Sequence, residues 1–234
     1  MRAGAARLGF RYRAGAGVPL TNACDSIPLY IPTSSDNYTL AQLGTPNNTM
    51  AIIDNGYIKY SVNGGPAKGQ IGNGSTTPGI MFDSTGTGNY GVDDYIRPGT
   101  PYETYGFYVN NTTWIGGDNS NSHTWTSNAT LMWNKSTTGL GHVICLRGTT
   151  ANGYVVTQYQ TYAGEAIIRI KMSYTNTTGS AVTLKGYRGC DPDVGYYLYS
   201  TYSTTNYRGY STIAATDIVV AEEPNTNKPI ALYI

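Results

Sequence analysis

Charged side chains are scarce in this chain of 234 residues: Asp, Glu, Lys and Arg make up 12% of it, against about 25% in an ordinary soluble domain. The formal net charge is +1. A chain with so little charge has no overall field to hold nucleic acid or an anionic membrane, so we expect neither as a strong partner. Repulsion between copies is also weak, which favours self-association.

Residues that commonly carry catalysis are few as well. The two histidines, His123 and His142, lie in no recognisable motif. The chain also has no nucleophile elbow, phosphate-binding loop, dinucleotide fingerprint or zinc-protease motif, so we expect no enzyme. Of the three cysteines, Cys145 lies in an apolar run and is interpreted as a small buried hydrophobe. Cys24 and Cys190 could form one disulfide, but their spacing does not establish it.

Long apolar runs are missing too. No stretch approaches the roughly 18 apolar residues that a membrane-spanning helix needs. The first residues lack the continuous apolar stretch of a secretory signal. We therefore expect a soluble protein that does not engage a membrane.

Tyrosine and glycine are abundant, at 22 and 29 residues, and Thr, Asn and Ser are frequent. Tyr and Thr suit half-buried strands, whereas Gly and Asn suit tight turns. Short strand patterns recur from residue 27 onward without a convincing helical period. The sequence predicts an all-β fold, an antiparallel β-sandwich or jelly-roll-like architecture, with residues 25–234 as a single domain.

Some strand predictions are specific. Asn55-Gly56 predicts a type I′ turn in a hairpin between strands at 50–53 and 57–62. Alternating apolar residues predict a half-buried strand at 168–175, followed by a turn and a second hairpin. We also expect a strand at 196–202. Residues 63–101, rich in Gly, Thr, Ser and Asn, are predicted to form a long loop excursion.

The first 24 residues form a basic, Gly- and Ala-rich segment without a single acidic residue. It is predicted to be a flexible arm that adds as a strand to a neighbouring subunit, although a passive leader, a targeting peptide or a nucleic-acid tether would share this composition. The residues expected to make the contact alternate in strand fashion: Leu8, Phe10, Arg11, Tyr12 and Arg13.

Carboxylates are few, and three groups of them attract notice: Asp93-Asp94, Glu103 and Asp191-Pro192-Asp193. Asp191 and Asp193 could contribute to a calcium site, and paired carboxylates could also run glycoside hydrolysis. The simpler interpretation is that these aspartates cap turns by accepting hydrogen bonds from nearby amides. No other cofactor is expected.

Aromatic side chains are the strongest binding signal. Twenty-two tyrosines exceed what a core easily hides, because each buried hydroxyl needs a hydrogen-bond partner. Some of them are therefore expected at interfaces or stacked on sugars, whereas others pack between strands. The residues predicted to contact a glycan or a protein partner are Trp114, Trp125, Tyr197 and Tyr199.

Residues 167–206 contain Ser173-Tyr174-Thr175-Asn176, Asp191-Pro192-Asp193 and Ser203-Thr204-Thr205-Asn206. This stretch resembles β-sandwich modules of large Thr/Asn-rich bacterial surface proteins and of phage virion proteins of the capsid-decoration, tail or fibre type. The resemblance implies a virion structural protein that assembles with copies of itself and with other virion proteins, located in a virion or at an extracellular surface. The alternatives are a glycan-binding module and, third, a sandwich-type carbohydrate-active enzyme.

Overall fold

The computed structural model describes residues 5–14, 45–64, 68–72, 78–97, 103–118, 131–137, 141–149, 154–162, 167–208, 218–225 and 228–233. Within these residues the chain is almost entirely β-strand, arranged in antiparallel sheets, which confirms the predicted all-β class. In this part of the chain, no helix is long and apolar enough to cross a membrane.

Fourteen strands and one short helix are described. In chain order the strands are β1 Ala5–Ala14, β2 Ala51–Asp54, β3 Ile58–Val62, β4 Ile80–Phe82, β5 Glu103–Val109, β6 Thr113–Asp118, β7 Leu131–Thr137, β8 Gly141–Thr149, β9 Tyr154–Tyr162, β10 Ile167–Asn176, β11 Leu184–Cys190, β12 Thr205–Arg208, β13 Ile218–Glu223 and β14 Lys228–Tyr233; the helix, α1, is Tyr196–Tyr199.

The strands form one large and two small sheets. The large sheet has eight strands in the order β12-β13-β14-β1-β10-β9-β8-β7, and the small sheets have the orders β11-β5-β6 and β2-β3-β4. Strands β7 to β10 form one meander and β12 to β14 another. Strand β1 is the element that joins these two blocks.

Residues 5–14 therefore differ from the flexible arm predicted for residues 1–24. They pair antiparallel with β10 from Ala5↔Thr175 to Arg13↔Ile167, and with β14 from Arg11↔Tyr233 to Ala14↔Ile230. The physical reason is that an alternating segment can satisfy its backbone groups on both sides when two open strands flank it. Residues 1–4 and 15–24 of the predicted arm lie outside the described residues.

Strand β10 shows most directly how the sequence makes the core. Its apolar residues Ile168, Ile170, Met172 and Tyr174 are all buried, and they alternate with half-buried polar residues, as predicted. A single hydrophobic cluster then links this strand to the inward residues of both small sheets. Phe107 of β5, for example, packs edge-on against Tyr154 at 5.5 Å between ring centroids. The cluster thus contains buried apolar residues from all three sheets.

The first predicted hairpin is confirmed as the pairing of β2 with β3. Its turn is not the expected type I′, because Gly56 has a φ of 89° but Asn55 does not take a positive φ. Instead the Asn55 side-chain oxygen accepts hydrogen bonds from the amides of Tyr57 and Ile58, at 2.6 and 2.7 Å. The side chain supports a turn that is also closed by a backbone hydrogen bond from the Asn55 amide to the Ile58 carbonyl at 3.2 Å.

Two other predictions are wrong. Strand β11 pairs with β5, so β10 and β11 do not form a hairpin, and the turn at Asn176–Gly179 carries the chain from one sheet to another. The segment predicted as a strand at 196–202 instead begins with the single helical turn α1. Gly195 and Ser200 flank this turn with left-handed φ angles of 84° and 54°, which reverse the chain direction and prevent an extended strand.

The described part of the predicted loop excursion is ordered around two aspartates. The Asp94 carboxylate is buried and accepts hydrogen bonds from the amides of Gly79, Ile80, Ile96 and Arg97 at 2.8, 3.1, 3.3 and 3.1 Å. The carboxylate thereby links residues 79–80, at the start of β4, to residues 96–97. Burial raises the pKa of Asp94 to about 6, against the lowering effect of the four amides.

The second aspartate, Asp83, organises the turn after β4. Its carboxylate accepts hydrogen bonds from the amides and hydroxyls of Thr85 and Thr87 and from the amide of Asn89, at 2.7 to 3.0 Å. These donors hold the pKa of Asp83 well below its usual range, with the Thr85 hydroxyl as the largest cause. Both aspartates thus act as caps of turns, and for Asp94 this is the simpler interpretation given to the acidic groups in the sequence.

The edge strand β7 is covered locally. The amides of Asn47 and Asn48 both donate to the Met132 carbonyl, at 3.1 and 3.0 Å, and the Met132 amide donates to the Asn48 side chain at 2.8 Å. Exposed strand edges template pairing with other chains. The segment just before β2 therefore blocks one end of the eight-stranded sheet from extending further at this point.

Candidate binding surface

One face of the sheet β11-β5-β6 points away from the core and carries a group of aromatic rings. Strand residues alternate between faces. The inward positions include Tyr105, Phe107 and Ile115, which are buried. The outward positions in the register include Tyr108 opposite Trp114 and Tyr187 opposite Gly106. The outward group Tyr108, Trp114 and Tyr187 is called the aromatic cradle below.

Two facing glycines form the seat of the Trp114 ring. Gly106 and Gly116 are opposite each other in the register. A Cβ added at Gly106 would lie 2.6 Å from Trp114 Cη2, and one added at Gly116 would lie 2.6 Å from Trp114 Cζ2. The indole thus lies across the backbone of two strands in space that any other residue would fill. Glycine here allows close approach of a ring to the sheet.

The two tyrosines flank the indole at different angles. The Tyr108 ring lies 5.1 Å from the Trp114 ring with an interplanar angle of 49°, and the Tyr187 ring lies 5.9 Å away at 80°. Tyr108 is 41% and Tyr187 49% exposed, whereas Trp114 is half-buried. The three rings contact one another and are therefore held in one arrangement while much of their surface faces solvent.

Lys185 adds a charge beside the rings. It is exposed and lies opposite Tyr108 in the register of β11 with β5. Among the outward side chains described on these three strands, it is the one that carries a charge. Asp118 occupies the register position opposite Thr104, and its side chain is not described.

A buried ion pair supports the same sheet from inside. The Arg188 Nε and a carboxylate oxygen of Glu103 are 2.6 Å apart, and both side chains have no solvent exposure. The other Glu103 oxygen accepts a hydrogen bond from the Ile71 amide at 2.9 Å. Arg188 also donates to the Gly69 carbonyl at 3.4 Å and lies over the Tyr105 ring at 5.3 Å. The pair joins β5, β11 and the segment 68–72.

We expect the substitution Gly106→Ala to destabilise the protein by about 1–3 kcal/mol, because an inserted methyl group must displace well-packed neighbours. The added Cβ would lie 2.5 Å from the Ile115 carbonyl oxygen as well as against the indole. Chemical denaturation measures the loss, and the emission of Trp114 should change in the folded variant.

The matched control is Gly88→Ala, whose added Cβ would meet nothing within 4 Å although φ there is 82°. Its cost comes from the backbone alone, so it should leave the tryptophan emission unchanged. Equal effects of the two substitutions on stability and emission would show that Gly106 has no special role under Trp114.

A second group of exposed aromatic residues surrounds α1. Tyr197 and Tyr199 are exposed there, as the predicted contact role requires, and Tyr196 stacks on Tyr202 at 4.4 Å with an interplanar angle of 25°. This group lies on a helical turn and the segment after it, which are not part of the sheet that carries Trp114. Trp125, the fourth predicted contact residue, lies outside the described residues.

The predicted calcium ligands lie at the base of that turn. Asp193 is buried, and its amide donates to the Tyr95 carbonyl at 2.9 Å, whereas Asp191 is exposed. Burial, and then the charge of Asp191, raise the pKa of Asp193 to about 6. Among the described residues, no group of three or more His, Cys, Asp or Glu side chains could hold a metal ion. Calcium binding stays a prediction that rests on two aspartates.

Other candidate residues fall where side chains are not described. The arm residues Leu8, Phe10, Arg11, Tyr12 and Arg13 occupy register positions in β1, and nothing further is described of them. Cys24 and His123 lie outside the described residues, and the side chains of Cys145 and His142 are likewise not described. The predicted disulfide of Cys24 with Cys190 therefore stays open.

Sequence reasoning found Trp114 but missed Tyr108 and Tyr187. The signal for Tyr108 was present, because Phe107 and Tyr108 cannot both face the core of one strand. The signal for Tyr187 was weaker, since its neighbours Gly186 and Gly189 interrupt the strand pattern. No family model, curated protein or solved structure matches this chain.

Proposed function

We propose that this protein is a structural component of a virion, at the capsid surface or in the tail, that assembles with copies of itself through residues 5–14. The observation that carries the proposal is the position of β1. It lies between β14 and β10 and is paired on both sides, so the eight-stranded sheet is continuous through it.

Strand β1 is suited to exchange between copies. The segment 15–44 separates it from the next described residues, and a chain of that length, at up to about 3.3 Å per residue, can reach a neighbouring subunit. The cleft between β10 and β14 accepts the same strand whether it comes from its own chain or from another copy, because the pairing is through backbone groups. Such exchange is a common route to oligomers.

The composition supports the same function. The near-zero net charge provides little repulsion between subunits packed side by side. The exposed tyrosines of α1, Tyr197 and Tyr199, give rigid contact surfaces to neighbouring subunits. In this proposal the small sheets and the large sheet form the two layers of the predicted sandwich, and the partners are further copies and other virion proteins.

The test compares the full-length protein with a variant that lacks residues 1–18. We expect the full-length protein to form large homo-oligomers or particles, seen by electron microscopy and light scattering. The truncated variant should not assemble, because the cleft between β10 and β14 is empty in every copy.

The decisive measurement adds a synthetic peptide of residues 1–18 to the truncated variant. It should bind and raise the melting temperature, yet leave the protein monomeric, since a free peptide links no two subunits. A control peptide with Leu8, Phe10 and Tyr12 replaced by Ser should do neither. A full-length protein that stays monomeric, or a truncated one that assembles normally, would refute the proposal.

Glycan binding is the second candidate function, and the aromatic cradle is the observation that favours it. An aromatic residue on a rigid sheet face can serve as a stacking surface. We propose no catalytic role for this surface, because the carboxylate nearest to it in β5, Glu103, is buried and paired with Arg188.

A further inference from the structure

We propose that the aromatic cradle binds a pyranose ring of an acidic glycan, with the apolar face of the sugar against the rings and its carboxylate toward Lys185. This inference rests on the second proposed function, glycan binding, and not on virion assembly, since the cradle lies in the sheet β11-β5-β6 and β1 lies in the eight-stranded sheet.

The size of the cradle favours a small ligand over a second copy of the chain. A stable protein interface buries about 800 Å² on each partner, whereas one aromatic side chain buries about 150–250 Å² when it is covered completely. The rings of Tyr108, Trp114 and Tyr187 are already partly covered by the sheet and by one another. Their remaining surface matches one or two sugar rings.

The geometry of the cradle fits a sugar better than a flat apolar surface would. The indole is seated low on two glycines, and the tilted ring of Tyr108 and the nearly perpendicular ring of Tyr187 lie beside it. A pyranose presents C–H groups on its face and hydroxyl groups around its rim. Aromatic faces attract the C–H groups weakly, and the phenol hydroxyls can exchange hydrogen bonds with the rim.

We expect Lys185 to make the cradle bind acidic glycans more tightly than neutral ones. It is exposed, lies beside Tyr108, and is the charged outward side chain described on these strands. Its ammonium group can form a charge-assisted hydrogen bond with a sugar carboxylate.

The experiment titrates the full-length protein with oligosaccharides and follows tryptophan fluorescence and calorimetric heat. The acidic probes are hexamers of galacturonic acid and of mannuronic acid, together with sialyllactose, and the neutral probes are hexamers of galactose and of mannose. We expect at least one acidic probe to bind, at least about tenfold more tightly than every neutral probe.

Four variants locate the site. Trp114→Ala and Tyr187→Ala should each weaken the acidic probe about tenfold or more, which corresponds to the loss of one stacked ring. Lys185→Gln should remove the preference for acidic over neutral probes. Tyr57→Ala, which removes an exposed ring in the turn between β2 and β3, is the control and should leave binding unchanged. Circular dichroism establishes that each variant is folded.

Absence of binding to every probe at 10 mM would overturn the proposal, as would a preference that Lys185→Gln leaves intact. If the cradle variants bind sugars normally but no longer assemble, the cradle is an interface between copies and the proposal is wrong. If full-length protein binds the acidic probe but never assembles, the glycan site stands and the structural function fails.

Discussion

Replacing Arg188 by Met should destabilise the protein by about 3–5 kcal/mol, one of the two largest losses that we expect from a single substitution. The reason is electrostatic. Glu103 would keep its place in the core without the cation 2.6 Å away, and an uncompensated buried charge is far more costly than an intact ion pair. Urea denaturation at pH 7 measures the loss.

The double variant Arg188→Met with Glu103→Gln is the matched control. Glutamine keeps an acceptor for the Ile71 amide, which donates to Glu103 at 2.9 Å, but it carries no charge. Most of the lost stability should therefore return. A loss below about 1 kcal/mol in Arg188→Met would contradict this account.

The parts of the fold that the sequence predicted are those that depend on neighbours along the chain. The alternation of Ile168, Ile170, Met172 and Tyr174 requires one wet and one buried face whatever the strand pairs with, and β10 has this pattern. The hairpin at Asn55-Gly56 was likewise local, and it formed even though its turn uses the Asn55 side chain.

The parts that were wrong or missed depend on distant partners. Nothing in the residues around Gly179 indicates that β11 pairs with β5 rather than with β10, because the choice depends on a strand that lies far away along the chain. Tyrosine favours strands, so the residues from 196 onward predict a strand. Gly195 instead takes a left-handed φ just before them, and the chain forms the helical turn α1. Local preference decides an element only when tertiary contacts agree with it.

The candidate surface shows the same division. Trp114 was predicted from its residue type alone. The space that its indole occupies exists because the pairing of β5 with β6 brings Gly106 and Gly116 opposite each other. Tyr187 joins them from β11, a strand far along the chain. A binding surface assembled across three strands cannot be derived from any one of them without the register.

Replacing Asp94 by Ala should cost at least about 3 kcal/mol at pH 7. The carboxylate accepts hydrogen bonds from four backbone amides, and its loss leaves these donors without their acceptor in a buried setting. Each unsatisfied buried donor costs about 1–3 kcal/mol, although water entering the space would satisfy some of them. Thermal and urea denaturation, together with hydrogen exchange of the Gly79 and Ile80 amides, measure the effect.

The substitution Asp94→Asn separates the charge from the hydrogen bonds. One carboxylate oxygen accepts from Ile80, Ile96 and Arg97, and the asparagine oxygen can replace it, whereas the amide nitrogen would oppose the Gly79 N–H. The loss should therefore be clearly smaller than in the alanine variant. Equal losses in the two variants would show that the four hydrogen bonds are not what Asp94 contributes.

The contribution of Asp94 to the free energy of unfolding should change with pH in a definite direction. Burial raises the pKa of Asp94 to about 6 in the folded protein, while its value in the unfolded chain is about 3.9. Between these values the folded state binds more protons, so the stabilising effect of the protonated form is complete below about pH 4 and is lost as the pH rises through 6. The wild-type protein should lose stability over this range, and Asp94→Asn should lose less.

Because Asp193 titrates in the same range, Asp193→Asn is the necessary comparison, and the two variants together should flatten the profile more than either alone. A wild-type profile in which stability rises steadily from pH 4 to 6.5, with no change in slope in Asp94→Asn, would show that the buried carboxylate remains ionised throughout.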